Sequence, residues 1–241
     1  MDNYDDAIAY IEKQEATEIS YCKVGENSKK LVIAFASNNE KHEGFERKTS
    51  LMKLKYERND FDVLYLRNRF QWYLGGLKGI GKNINHTIAF LKKECAKYEK
   101  VVCIGNSAGA YASLLYGSIC NVNAVIAINA QTDLEYVELK LTGYHIKKVS
   151  DEHWFIGHFT KIQKKCPATW NKYNKISKVL NAKVEYYVFY NGDAFWMPEK
   201  SFSGWVLHGD YHYNCIKDFP TVNKFKFRPF ADRGISEYLD K

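Results

Sequence analysis

The sequence predicts an α/β chain with a mainly parallel central sheet and helices on both of its faces. Two observations carry this reading. Short apolar runs alternate with helix-patterned segments along the chain, the signature of strands joined by helical crossovers. One of those runs, Val101-Val102-Cys103-Ile104, passes through Gly105-Asn106-Ser107-Ala108-Gly109 straight into the alanine-rich stretch Ala110-Tyr111-Ala112-Ser113-Leu114-Leu115-Tyr116. At 241 residues the chain is long enough to bury a large core without staples.

In chain order, Leu31 to Phe35 reads as an early strand, Lys48 to Arg58 as a polar helix and Val63 to Leu66 as the next strand. Asn83 to Tyr98 reads as a helix, with Ile84, Ile88, Phe90, Leu91 and Cys95 close to one face. After the run at Val101, Ala124 to Ile128 and Val184 to Tyr190 are further strands, and Ser203 to Leu207 is the expected last one. The tail Lys224-Phe225-Lys226-Phe227-Arg228-Pro229-Phe230 alternates basic and aromatic residues, as an edge strand or docking arm does and, less commonly, a contact for a polyanion. No repeat, low-complexity stretch or linker divides the chain, so residues 1–241 are expected to form one domain. The interval 129–181 is longer than a plain crossover needs and carries Trp154, Phe155, Phe159 and Trp170 on helix-like patterns. It reads either as a small helical lid above the site or as a pair of covering helices whose aromatics are core.

Strand, Gly-x-Ser-x-Gly and helix in succession form a nucleophile elbow, which holds a serine at a strained corner with its hydroxyl exposed. The two glycines are steric necessities, because the turn brings the residues two before and two after the serine together. Ser107 therefore reads as a nucleophile, against the plainer alternative of a solvated serine in a glycine-rich turn. A serine hydroxyl needs a base to take its proton and a carboxylate to orient that base. In α/β-hydrolases these follow in the order Ser, acid, His. The carboxylates at strand ends after Ser107 are Asp133 and Asp193. Asp193 is preferred because it follows the second strand after the elbow, with Asp133 as the fallback and a plain turn aspartate as the alternative. Only His208 and His212 lie beyond Asp193. His212 suits a loop after the expected last strand, whereas His208 falls on that strand, and either could simply cap the next helix. The oxyanion formed during reaction needs donors, for which the backbone N–H groups of Ala108 and Ser37 are the candidates.

Other chemistries find less support. The six cysteines are scattered without zinc spacing or a C-x-x-C pair, and they read as reduced packing residues. His153 and His158 are badly spaced for a helix-borne metal site, so no metal is expected. The glycines between Gly75 and Gly81 lack the Walker and dinucleotide patterns, so no bound nucleotide cofactor is expected, and no nucleic-acid module is recognisable. The acidic start Met1-Asp2-Asn3-Tyr4-Asp5-Asp6 lacks a secretory pattern, and no apolar run has membrane-spanning length. A soluble, cytoplasmic protein is expected. The net charge of +7, from 35 basic and 28 acidic side chains without a long basic block, favours an anionic partner in a general way or is simply a solvated surface.

The chain also resembles the small α/β-hydrolase-like proteins of bacterial capsule and surface-polysaccharide gene clusters, a group that includes capsular polysaccharide O-acetyltransferases. The resemblance is carried by Leu64-Tyr65-Leu66-Arg67-Asn68, by Trp72-Tyr73-Leu74-x-Gly76, and by the stretch from Cys103 to Ala112. It implies acyl transfer to or from a sugar hydroxyl, with Ser107 as nucleophile and Asp193 and His212 as its partners. Acetyl-CoA is the expected acyl donor and a carbohydrate the expected acceptor. Trp72 and Trp196 are the expected sugar platforms, beside Tyr73, Trp154 and Trp170, although core burial is the ordinary fate of any one of them. The alternatives are a carboxylesterase or thioesterase using water, and a non-catalytic binding or assembly subunit with the same fold.

Overall fold

The computed structural model describes residues 3–37, 44–68, 72–135, 161–190 and 225–229. They form a seven-stranded sheet. Its strands in chain order are β1 (Tyr21–Val24), β2 (Lys30–Phe35), β3 (Asp62–Leu66), β4 (Lys100–Asn106), β5 (Ala124–Ile128), β6 (Glu185–Tyr190) and β7 (Phe225–Pro229). The spatial order is β1-β3-β2-β4-β5-β6-β7. Every neighbouring pair is parallel except β1 and β3. The elements α2 (Lys48–Arg58) and β5 fall on the residues expected from the sequence. The helices α1 (Tyr4–Glu15), α3 (Ile84–Cys95), α4 (Ala108–Cys120) and α5 (Pro167–Tyr173) complete the regular elements considered below. No element was expected from the sequence before residue 31, yet α1 and β1 are both there. α1 is short and mostly polar, and it starts because the Asn3 side chain accepts the Asp6 N–H at 2.9 Å. β1 is only four residues long and its side chains alternate between half-buried and buried.

The two sheet faces build two separate cores, as the period-two geometry of strands requires. Leu31, Ile33 and Phe35 of β2 join Leu64, Val101, Cys103 and the helices α3, α4 and α5. Val32 and Ala34 join Val63, Tyr65, Val102, Ile104 and the helices α1 and α2. Both faces are covered, which is why the strand sequences are continuously apolar. α4 is buried from Ala108 to Ser118, so it is apolar around most of its circumference and lies under the centre of the sheet.

β7 pairs with β6 from Tyr186↔Phe225 to Tyr190↔Pro229 and closes one side of the described sheet. Phe225–Pro229 of the basic-aromatic tail is thus the outermost described strand on this side, and its proline stands at the strand's end, where a missing N–H is tolerated. This corrects the sequence reading of the last strand. Ser203 to Leu207 lies outside the described residues, and the strand beside β6 comes later in the chain. The lid expected within 129–181 lies partly outside the described residues, which include its flanks 129–135 and 161–181. Among the described residues no helix is long and apolar enough to cross a membrane.

Candidate active site

Ser107 stands between β4 and α4 with φ 53 and ψ −120, a backbone conformation that L-residues seldom adopt. A serine at a helix start ordinarily spends its hydroxyl on a backbone N–H of the first turn. Ser107 makes no such cap, because its strained backbone carries the side chain away from the helix, and its oxygen is left for other partners. The corner is held by main-chain bonds: Ser107 N–H donates to Ile128 O at 2.9 Å, and Tyr111 N–H donates to Ser107 O at 3.0 Å. A Cβ at Gly105 would stand 2.1 Å from the carbonyl oxygen of Gly109, and one at Gly109 would stand 2.2 Å from that of Phe35. Neither contact is possible for real atoms, so both glycines are fixed by the closeness of β4, α4 and the end of β2.

That closeness sets the loop leaving β2 beside the first turn of α4. Ala36 N–H donates to Leu66 O at 2.8 Å, and Ala36 O accepts from the Tyr73 hydroxyl at 2.8 Å. Ser37 follows directly, half-buried, with its own hydroxyl bonded to the Glu46 carboxylate. Ala108, at the first position of α4, is buried, and N–H groups in a first helical turn have no intrahelical acceptor.

A side chain that the sequence reading passed over also reaches the serine. Gln131, beyond the end of β5 and 1% exposed, brings its Nε2 to 3.3 Å from Ser107 Oγ. The signal available was its place in Asn129-Ala130-Gln131-Thr132-Asp133, a strand-end segment weighed only for its aspartate. Thiol chemistry is unfavourable at the buried cysteines Cys103 and Cys22. Burial holds the Cys103 thiol on β4 well above its ordinary range and pushes that of Cys22 up to about 12, so neither supplies a thiolate at neutral pH.

No protein-family model matches the chain, and no curated protein matches it in sequence. Solved structures do match. A capsule O-acetyltransferase of Neisseria meningitidis serogroup A superposes with a TM-score of 0.54 at 13% identity, over 92% of this chain and 89% of that one. A mutant of that enzyme in complex with CoA gives a TM-score of 0.51 at 12% identity, over 91% and 88%. A Glycosylation Associate Protein complex from Streptococcus agalactiae gives 0.56 at 14% identity, and the match covers 88% of this chain but spans only 40% of that chain's length. The chain has the α/β-hydrolase fold.

In an α/β-hydrolase the acid and base follow the nucleophile in sequence. Asp193, His208, His212 and Trp196 lie outside the described residues. The place expected for His212 from the sequence is a loop after the last strand. All seven histidines precede β7, so His212 comes before the last described strand in the chain. Asp133, the fallback acid, is half-buried and pairs with Lys175, whose Nζ lies 3.2 Å from its carboxylate and 2.9 Å from that of Glu135. Glu135 first, and then Asp133, hold the Lys175 ammonium above its ordinary range. Trp72 corrects a second expectation. At 1% exposure it is packed in the α4-side core, so it offers no open face to a sugar, and Trp170 and Tyr73 are buried in the same core. Trp154 lies outside the described residues.

Proposed function

We propose that this chain is a serine acyl-transfer enzyme that moves an acetyl group from acetyl-CoA to a hydroxyl of a bacterial surface polysaccharide. One observation carries the serine chemistry: Ser107 sits at φ 53 on the elbow with its hydroxyl unused for capping. A strained non-glycine residue at this junction has a cost of order 1–3 kcal/mol, which a merely structural turn has no reason to bear. The polysaccharide acceptor is supported by the sequence resemblance and by the fold shared with the capsule O-acetyltransferase. The CoA complex of that enzyme makes acetyl-CoA the donor to test first.

In the proposed cycle Ser107 Oγ attacks the thioester carbonyl carbon as His212 takes the hydroxyl proton, and Asp193 orients the His212 ring. Backbone N–H groups of Ala108 and Ser37 hold the oxyanion. Collapse breaks the carbon–sulfur bond, and His212 returns the proton to the departing thiolate, leaving acetyl-Ser107. The acceptor hydroxyl then attacks the ester, gives its proton to His212 and leaves acetylated, while the same proton restores Ser107. Residues 1–241 act as one catalytic domain in this reading, with part of 129–181 over the serine and Trp196 as a platform for the acceptor.

Labelling by a fluorophosphonate probe, lost in Ser107→Ala, tests the nucleophile. Free-thiol release from acetyl-CoA, with and without polysaccharide, and mass spectrometry of the glycan test the acceptor. The expected result is slow consumption alone, much faster consumption with the polymer, and acetate on the polymer. Rapid hydrolysis of simple acetyl esters without use of acetyl-CoA would replace the transferase by an esterase. An unreactive Ser107 would replace both by a binding or assembly subunit.

A further inference from the structure

The proposed cycle leaves Gln131 without a task. A glutamine carboxamide offers two N–H donors and an oxygen with two lone pairs. At Gln131 one end meets Ser107 Oγ at 3.3 Å, while Oε1 is buried with no hydrogen-bond partner. Buried polar atoms in folded proteins are nearly always paired, and an unpaired one is destabilising, so its presence beside a nucleophile calls for a reason. The residue is held in place. Thr132 O accepts from Ile176 N–H at 2.8 Å, Leu134 N–H donates to Asn174 O at 2.8 Å, and Asn129 N–H donates to Phe189 O at 2.8 Å. Asn129, at φ 53, has a second buried and unpartnered carboxamide oxygen two residues away.

The chemistry of the acyl-enzyme decides which way the Gln131 amide must face. Once acylated, Ser107 Oγ has no hydrogen and can only accept, so the N–H end must point at it. The oxygen hangs from the same carbon and is then an unpaired acceptor within one amide's width of the contact with Ser107 Oγ. The attacking hydroxyl cannot satisfy it, because that proton goes to the base. A second hydroxyl on the same acceptor molecule can. We infer that Gln131 is a specificity residue for the acyl acceptor: its Oε1 accepts a hydrogen bond from a hydroxyl next to the attacking one, so vicinal diols, as sugars present, are favoured over isolated alcohols. This inference rests on the acyl-transfer reading above. Neutral carboxamides suit neutral hydroxyls, since a carboxylate in the same place would favour an ammonium group.

The test forms the acyl-enzyme from p-nitrophenyl acetate and lets it partition between glycerol and propanol at equal concentration, with the two acetate esters measured by mass spectrometry. The unsubstituted protein is expected to favour glycerol by about tenfold, the effect of one hydrogen bond to an otherwise unpaired buried group. In Gln131→Met, which keeps the length and removes both the oxygen and the N–H group, the ratio is expected to fall toward that of the free alcohols, with a raised KM for glycerol. A thermal melt accompanies each variant. Should the methionine variant not fold, Gln131→Leu, which also lacks the oxygen, replaces it: a lost preference supports the inference and a retained one overturns it. No preference in the parent protein, or the same preference in Gln131→Met, also overturns it. If the parent releases nitrophenolate normally in those cases, acyl transfer stands and only the role of Gln131 falls. If it releases none and Ser107 takes no fluorophosphonate, both fall together.

Discussion

The hydroxyl of Tyr73 lies 2.8 Å from the carbonyl oxygen of Ala36, and through this contact a buried turn holds the loop beside the nucleophile. Tyr73 and Trp72 are both left-handed, at φ 58 and 47, a costly pair of conformations for bulky residues. The turn is fixed from both sides. The Tyr73 hydroxyl also stands 3.1 Å from Leu66 O, and the Tyr116 hydroxyl of α4 donates to Tyr73 O at 2.6 Å. The Trp-Tyr-Leu stretch that carried the family resemblance is therefore a brace between β2, β3 and α4.

Tyr73→Phe removes the Ala36 contact while keeping the ring, which packs edge-on against Phe35 at 5.5 Å. The buried carbonyl loses its partner, so the expected loss of stability is about 1–3 kcal/mol. If the loop also carries an oxyanion donor, kcat falls more than KM rises. Thermal melts and ester hydrolysis kinetics measure the two effects.

Ser107→Ala and Ser107→Gly are both expected to abolish acyl transfer and fluorophosphonate labelling. They differ in stability. Glycine relieves the positive φ, so Ser107→Gly is expected to melt about 2–4 °C above Ser107→Ala, equivalent to about 1 kcal/mol in a chain of this size. Equal melting temperatures would mean that the elbow is not strained.

Gly105→Ala and Gly109→Ala drive a methyl group into backbone carbonyls that cannot move without separating β2, β4 and α4. About 3 kcal/mol or more is expected to be lost at either position. Gly44→Ala is the control, because its nearest atom is the far end of the Glu15 side chain. Denaturant midpoints should rank Gly44→Ala well above the other two.

Asp193→Asn and His212→Ala are each expected to reduce kcat by several orders of magnitude, because orienter and base act as one unit with the nucleophile. Asp133→Asn, which leaves Lys175 its Glu135 partner, and His208→Ala should be mild by comparison. Steady-state kinetics on the four variants decides the assignment, and a reversed order at either pair transfers the role to the other residue.

The acid limb of stability tests the polar end of the sheet. The Arg58 guanidinium first, then the Lys30 ammonium, hold the Asp60 carboxyl below the ordinary carboxylate range despite some burial. A lowered folded pKa means that the unfolded chain takes up the proton first. The contribution of Asp60 is thus present above about pH 4 and lost as pH falls through the folded value. The side chain is 36% exposed, so solvent screening keeps the contribution under about 1 kcal/mol. Asp60→Asn is expected to melt slightly lower than the parent at pH 7, with the gap closing in acid.

Local patterns in the sequence determined the elbow, the apolar strands and the helix Lys48–Arg58, because each depends on spacing within a few neighbouring residues. Ser107 was legible for the same reason: two glycines at fixed offsets report a contact that the chain makes with itself within one turn. What tertiary structure decided depends on segments far apart in the chain. The strand β1 is too short to declare itself and exists through its antiparallel register with β3, while β7 is identified as a strand of the sheet by its pairing with β6. Trp72 has the same composition and spacing whether it faces a sugar or a core, and the covering elements place it inside. Gln131 reaches Ser107 because β4 and β5 lie side by side, bringing together residues separated by a whole helix. Strand pairing and burial are sums over distant partners, and a reading of neighbouring residues does not contain them.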